Sequence, residues 1–547
     1  MMSLYRVRAI PVVVLLAAGC MLDRAGLGTA RFDSGGGTDA GTQDGLAAID
    51  ATDDGPPRPD APETDATDER AASTDARPTD TGTDDRPAPV DTGADARDAG
   101  LDGGPSCPAA SWCDGDELVR CASGVETRQS CPLGCMVETG GRATCARLVP
   151  SNVGDRVEWT AASFDLDTAA WATTGKSIVF ETDTGRIRVC DAPNVYDGVG
   201  CSLVREAGTG CSMSPCYFQL SPTGTPGSEL GVFAMRSLRV ASGTVLTGVG
   251  MRALVLLVAG DATIEGRIEV GGGRDPNDRQ RPGPGGFAGG GNGTRGGGPG
   301  GGAPGAPRGS YEDGGGGGGS FGGLGGRGGN VGMGSETGGP AGATYGAASL
   351  VPLVGGSGGG GGVRNSEGNG FGGGGGGALQ ISAGGQIEVT TGACINAGGG
   401  GGGGGGNGGS GGGGGSGGAV LLEAREVSVS GTLAANGGAG GQGTREWSSA
   451  SGNGASGRAG DCSPIPAPGT MDEMSGAGGG AGSGLMGMGV SGSGARTNGG
   501  GGGGGGGGRI RINTLSGSVE IDVTTVLSPN AASGLFTIGT LSLAPGS

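Results

Sequence analysis

The chain has 547 residues, of which 141 are glycine, roughly a quarter against about 7% in an ordinary protein. Aromatic residues make up 3%, the hydrophobic set 34%, and His is absent, which excludes one large close-packed core, Ser-His-Asp or Cys-His catalysis, and every His-ligated metal site. The formal net charge is −18, but 19 Asp and Glu against five Arg between Asp33 and Asp102 account for 14 of it, so the remainder has no basic face for nucleic acid.

At the N-terminus, Arg6 and Arg8 precede an apolar stretch from Ala9 to Leu16. It is shorter than the roughly 20 apolar residues a transmembrane helix needs and has the anatomy of an export signal. It ends in Leu16-Ala17-Ala18-Gly19-Cys20, which resembles the lipobox of bacterial lipoproteins, with Ala17 where that family more often has Leu. The resemblance implies cleavage before Cys20, a diacylglyceryl thioether on its sulfur and acylation of the new amino group. Two or more acyl chains give stable anchoring where one does not. Met21 follows where Asp would favour retention in the inner membrane, so the expected destination is the outer membrane.

Residues 21–104 alternate Asp, Thr, Ala, Pro, Gly and Arg with almost no bulky apolar side chains. Such a segment cannot bury enough surface to offset its conformational entropy. It is expected to be a disordered tether spanning roughly 50 Å, extended further by carboxylate repulsion. The Asp residues are not spaced like a calcium-binding loop.

Beyond Cys20, twelve Cys remain, an even number in an exported chain, so disulfides are expected. Cys107, Cys113, Cys121, Cys131, Cys135 and Cys145 define a module over residues 105–147 too small to fold on an apolar core. Fifteen pairings are possible. Zinc is disfavoured by the lack of Cys-x2-Cys spacing. Residues 148–236 form a β-rich lead-in with Cys190, Cys201, Cys211 and Cys216. There, Ser177-Ile178-Val179-Phe180 and Ile187-Arg188-Val189 flank Asp183-Thr184-Gly185 as a hairpin. Cys394 and Cys462 are left to pair with each other.

From residue 237 onward short β runs recur in a fixed order. Ala253–Leu257, Ala378–Ile381, Ala419–Leu422 and Arg509–Ile512 are each followed by a second run: Thr263–Glu265, Ile387–Val389, Val427–Val429 and Val519–Ile521. In three of the four a third run follows: Ile268–Val270, Cys394–Asn396 and Thr432–Ala434. Ser237–Val240 with Thr244–Leu246 reads as an earlier coil, and Leu535–Ile538 as a C-terminal cap. The recurrence predicts an all-β fold, a right-handed parallel β-helix, whose coils stack equivalent strands. A β-sandwich does not explain the recurring order.

Glycine-rich insertions over roughly 271–377, 398–418 and 437–508 separate the coils, with unbroken glycine at Gly398–Gly406 and Gly499–Gly508. Such matter is normally flexible coil. Extended glycine helices packed side by side, which only glycine permits, are the sharper expectation, with partial order. GxGxxG occurs here by composition, without the strand, helix and distal acid of a dinucleotide site. No cofactor is expected.

The whole arrangement resembles the glycine-rich surface lipoproteins of myxobacteria: lipobox, Asp-rich tether, Cys-rich module, and a solenoid with PGRS-like glycine tracts. That resemblance implies location more than activity. Read together, these features predict a lipid-anchored outer-membrane protein, structural or adhesive, whose partners are the membrane and extracellular polysaccharide or cell surfaces. The alternative is a polysaccharide-binding or polysaccharide-cleaving β-helix protein. For that alternative, Glu265, Glu388 and Glu520 are the catalytic candidates, as an outward acidic column that Ser428 interrupts. A third reading is ice binding by ordered glycine tracts.

Overall fold

The computed structural model describes residues 110–546, apart from 173–174, 192–194, 225–226, 276, 309–311, 333–336, 364–369, 407, 445–453, 471–476 and 496–498. The chain divides into Met1–Asp98, wholly outside the described residues, and Ala99–Ser547. Cys20, the tether 21–104 and Cys107 therefore lie outside them.

The described chain is nearly all β, with several sheets. Helix among the described residues is confined to single turns at Ala169–Ala172 and Ala531–Ser533. Three parallel ladders dominate. The first stacks Leu230–Met235, Ala253–Val258, the first half of Ala378–Val389, the first half of Ala419–Val429, Arg509–Thr514 and Phe536–Thr540. The second stacks Asp165–Asp167, Ser237–Val240, Ala262–Ile264, the second halves of the same two long strands, and Glu520–Ile521. The third stacks Lys176–Glu181, Val245–Val249, Arg267–Glu269, Cys394–Asn396, Thr432–Ala434 and Val526–Ser528.

The recurring runs thus pair in parallel with their equivalents in the neighbouring set, with two differences. The parallel stack begins before residue 237, since strands from the lead-in (Asp165–Asp167, Lys176–Glu181 and Leu230–Met235) already supply its first rung. The fourth set also has a third run, Val526–Ser528. Phe536–Thr540 continues the first ladder as its last rung.

Inside the ladders pack Phe180, Leu246, Leu256, Ile264, Ile268, Ile381, Ile387, Ile395, Leu422, Leu433 and Ile512. The outer face of the first ladder is buried as well, its Val232, Val255, Leu257 and Leu421 lying against Val153, Trp159, Leu350 and Leu353. Burial on both faces is why these strands read as continuous apolar runs such as ALVLLV and not as alternation.

Antiparallel strands close the start of the stack. Cys216–Leu220 pairs with Leu230–Met235, and the hairpin expected at Asp183-Thr184-Gly185 joins Lys176–Glu181 to Ile187–Asp191. Gly185 adopts φ +76° in that turn, with the Tyr217 ring where a side chain would stand. Buried Arg205 holds this cap together. Its guanidinium donates to the carbonyls of Gly185, Glu206, Gly208 and Pro215 and lies 5.6 Å from the Tyr217 ring centre. At the far end the chain returns, and Leu543–Pro545 pairs antiparallel with Ala143–Leu148 of the Cys-rich module.

Five disulfides are described: Cys113–Cys135, Cys131–Cys145, Cys190–Cys201, Cys211–Cys216 and Cys394–Cys462. Cys121 is also disulfide-bonded. The bridges in the lead-in tie loops to sheet, and Cys394–Cys462 ties a glycine-rich insertion to the third ladder.

The insertions leave and re-enter the stack at the same corner. Each follows a third-ladder strand and returns into a first-ladder strand. Ladder hydrogen bonds run on into them, from Gly272 N–H to Gly398 O and from Gly399 N–H to Asn436 O. Their described stretches form a hydrogen-bonded lattice, more ordered than expected. The tract 499–508 repeats every three residues. Gly500, Gly503 and Gly506 donate to Asp313, Gly316 and Gly319; Gly501, Gly504 and Gly507 donate to Ser493, Val490 and Gly487; Gly502, Gly505 and Gly508 donate to Gly441, Gly438 and Ala435. Its carbonyls accept from three further segments, through Gly411, Gly414 and Gly417, through Gly323, Gly326 and Gly329, and through Gly480 and Ser483. A three-residue helical turn with six neighbours is the packing of extended glycine helices, which bond only between chains.

Candidate functional site

The catalytic candidates do not line up as expected. The outward column of the second ladder runs Asp167, Arg239, Thr263, Glu388, Ser428 and Glu520. Glu265 lies two residues beyond Thr263, so it is outside that column. A column joining Glu265 to Glu388 needs Ile264 opposite Ile387, but Ile387 and Val389 pair with the inward residues Ala262 and Ile264. Small Ala262 conceals that register in the sequence. The Glu265 carboxylate instead accepts from Arg239 Nη2 at 2.9 Å. Ser428 separates Glu388 from Glu520, as the sequence implied, by two strand spacings or about 9.6 Å. Both carboxylates stand on an exposed face.

A buried polar network that sequence reasoning missed crosses the outer face of the first ladder. Ser382, Glu423 and Asn513 are consecutive in register. Fully buried Glu423 accepts from Ser151 N–H at 3.1 Å, from the Ser151 hydroxyl, from Gln380 Nε2 at 2.8 Å, from Ser382 Oγ at 2.9 Å and from Asn513 Nδ2 at 3.1 Å. All these donors are neutral, and the network clamps the 151–153 segment onto the sheet. Glu-Ala-Arg in the sequence reads as an outward charge; nothing local reveals the segment that covers it.

A cleft of about 690 Å³ opens where the Glu181–Thr184 turn, the end of Val245–Val249 and the glycine-rich loop 271–289 meet. Its volume is in the roughly 300–1,000 Å³ range of ligand sites. Its carboxylates are Glu181, Asp183 and Asp278. Glu181 Oε1 lies 2.8 Å from Arg188 Nε, and its Oε2 accepts from Thr184 Oγ1 at 2.8 Å. Asp183 accepts from Met251 N–H at 2.9 Å and Arg252 Nη1 at 3.2 Å. Asp278 is half-exposed, with Arg281 Nε 3.9 Å away. The Arg281 guanidinium lies 5.4 Å from the Tyr196 ring centre, and burial pushes the Tyr196 phenol well above its ordinary pKa.

No protein-family model, curated protein or solved structure matches this chain. Among the described residues no group of three or more His, Cys, Asp or Glu is placed to hold a metal ion, and no helix is long and apolar enough to cross a membrane.

The wall of the cleft is rigid because it belongs to the glycine lattice. Phe287 N–H donates to Gly356 O at 3.0 Å, and Phe287 O accepts from Gly375 N–H at 2.9 Å. Gln280 and Gly289 are clamped by two bonds, Gly289 N–H to Gln280 O at 2.9 Å and Gln280 Nε2 to Gly289 O at 3.2 Å. Glu181 and Asp183 are held by fixed donors, so their remaining lone pairs are offered in fixed directions.

Proposed function

We propose that this is a lipid-anchored protein of the outer-membrane surface, structural or adhesive, presenting a rigid glycine lattice on a right-handed parallel β-helix. The parallel pairing in three ladders supports the β-helix reading, and right-handed winding follows from the general hand of parallel crossovers. The observation that carries the functional reading is the build of the lattice. Along 323–330, glycines at 325 and 328 face one neighbouring segment and those at 323, 326 and 329 face another, while Leu324, Arg327 and Asn330 occupy every third position on the outside. Such helices make a stiff support whose outer side chains vary without disturbing the inside. The export signal, the lipobox at Cys20 and the acidic tether support its display away from the membrane.

Protease shaving of intact cells tests this reading. Cleavage within 21–104 is expected to release a resistant fragment corresponding to residues 105–547, and Cys20→Ser is expected to abolish incorporation of labelled palmitate. A fragment 105–547 that stays cell-bound and protected while the outer membrane is intact would sink the display reading.

A further inference from the structure

We infer that the cleft between the Glu181–Thr184 turn and the loop 271–289 is a binding site for an uncharged oligosaccharide, which gives the adhesive reading a ligand class and rests on that reading for its cellular setting.

The charge of the lining points to an uncharged ligand. Three carboxylates, Glu181, Asp183 and Asp278, face two guanidiniums, Arg188 and Arg281. Both guanidiniums are already opposed by carboxylates: Arg188 by Glu181 at 2.8 Å, Arg281 by Asp275 at 3.6 Å and Asp278 at 3.9 Å. Asp183 is likewise opposed by Arg252 at 3.2 Å, so a phosphate or uronate would have to break an ion pair to gain a cation. A cationic ligand would meet Arg188 and Arg281.

The polar groups suit hydroxyls. Carboxylates fixed by protein donors keep spare lone pairs, and Gln280, whose Nε2 is used by Gly289, keeps its side-chain carbonyl as an acceptor. Several acceptors beside Arg N–H groups match the dense, mixed donor and acceptor pattern of a sugar ring. The same lining carries Phe287, Met251 and Pro282, apolar surface for the C–H face of that ring. Most of these groups sit on the lattice-bonded loop and on a hairpin whose second strand is tied to the following loop by Cys190–Cys201, so little ordering entropy is left to lose on binding.

Isothermal titration calorimetry of the full chain, disulfides intact, tests the inference with maltotetraose, cellotetraose and N-acetylchitotetraose, and with oligogalacturonate and inorganic phosphate as charged probes. One neutral probe is expected to bind saturably at a single site, with both charged probes at least about tenfold weaker. Phe287→Ala and Asp278→Asn are each expected to weaken that binding about tenfold, the scale of losing one good contact. Phe287 packs close to Gly227 and Gly298, so its replacement could disturb the fold. Half-exposed Asp278 carries the test without that risk. Failure of all three neutral probes, a preference for a charged one, or full affinity in Asp278→Asn would overturn the inference. A protein found periplasmic by shaving would overturn the display reading and leave the titration result standing.

Discussion

At the residue scale, polar groups are decisive where water has been removed. Glu423 is the strongest case, since replacing it by Ala would strand the donors of Ser151, Gln380, Ser382 and Asn513 in a buried site. Glu423→Ala is expected to cost on the order of 3–5 kcal/mol, read as a lower denaturant midpoint. Early protease access around residues 151–153 should accompany it, as that segment loses its clamp. Asp165 shows the exposed counterpart. The Arg236 guanidinium, and then the Ser237 hydroxyl, hold its pKa down at about 2. A depressed carboxylate stabilises the fold above its unfolded pKa of about 3.9 and loses that contribution as pH falls through the folded value. The difference in unfolding midpoint between wild type and Arg236→Gln is therefore expected to shrink between about pH 5 and pH 2. A difference constant over that window would show the pair to be inert.

At the element scale, the number of glycines per triplet reports a helix's place in the lattice. The interior tract 499–508 is all glycine, the face helix 323–330 has one outward residue in three, and along 454–460 Gly454, Gly457 and Gly460 alone turn inward. A Cβ on Gly503 would stand well inside van der Waals contact with the Gly326 carbonyl, whereas one on Gly291 has its nearest neighbour, Thr294 Oγ1, at 3.5 Å. Gly503→Ala is expected to cost about 1–3 kcal/mol or more through overpacking. Gly291→Ala and Leu324→Ser are expected to stay within about 0.5 kcal/mol. Equal effects of Gly503→Ala and Gly291→Ala on thermal unfolding would refute the packing. The triplets were present in the sequence, but composition masked them: in a chain so rich in glycine, no one spacing stands out until the neighbours of each residue are known.

At the scale of the whole molecule, cross-links and terminal pairing hold together parts that are far apart in sequence. Cys394–Cys462 closes a loop of 68 residues around one insertion, and losing such a bridge costs roughly 2–4 kcal/mol. The double replacement Cys394→Ser, Cys462→Ser is expected to destabilise the chain by that amount. Hydrogen exchange should rise first in 454–460, whose Gly457 and Gly460 bond to Gly402 and Gly399. Exchange rising uniformly across the ladders instead would mean that the bridge acts only through the unfolded chain. The pairing of Leu543–Pro545 with Ala143–Leu148 brings the last described strand onto the Cys-rich module, a contact no local signal announces.

Strand positions, the hairpin at Asp183-Thr184-Gly185 and the pairing of Cys394 with Cys462 were legible in the sequence. Short apolar or alternating runs, turn residues and an even cysteine count are local or arithmetic properties. Register was legible only where both inward residues are large. Ala262 hid it at one rung, which is why Glu265 was placed in the wrong column. The cleft and the Glu423 network were not legible, because each joins segments that meet only after the parallel strands have stacked. Sequence by itself determined that the chain is β-rich, that it is stapled by disulfides and that its insertions are glycine. Only the tertiary structure decided that the insertions order. Parallel stacking starts every tract at the same corner, and an extended glycine helix has no internal hydrogen bonds, so its backbone groups can be satisfied only by neighbours that the stack puts in place.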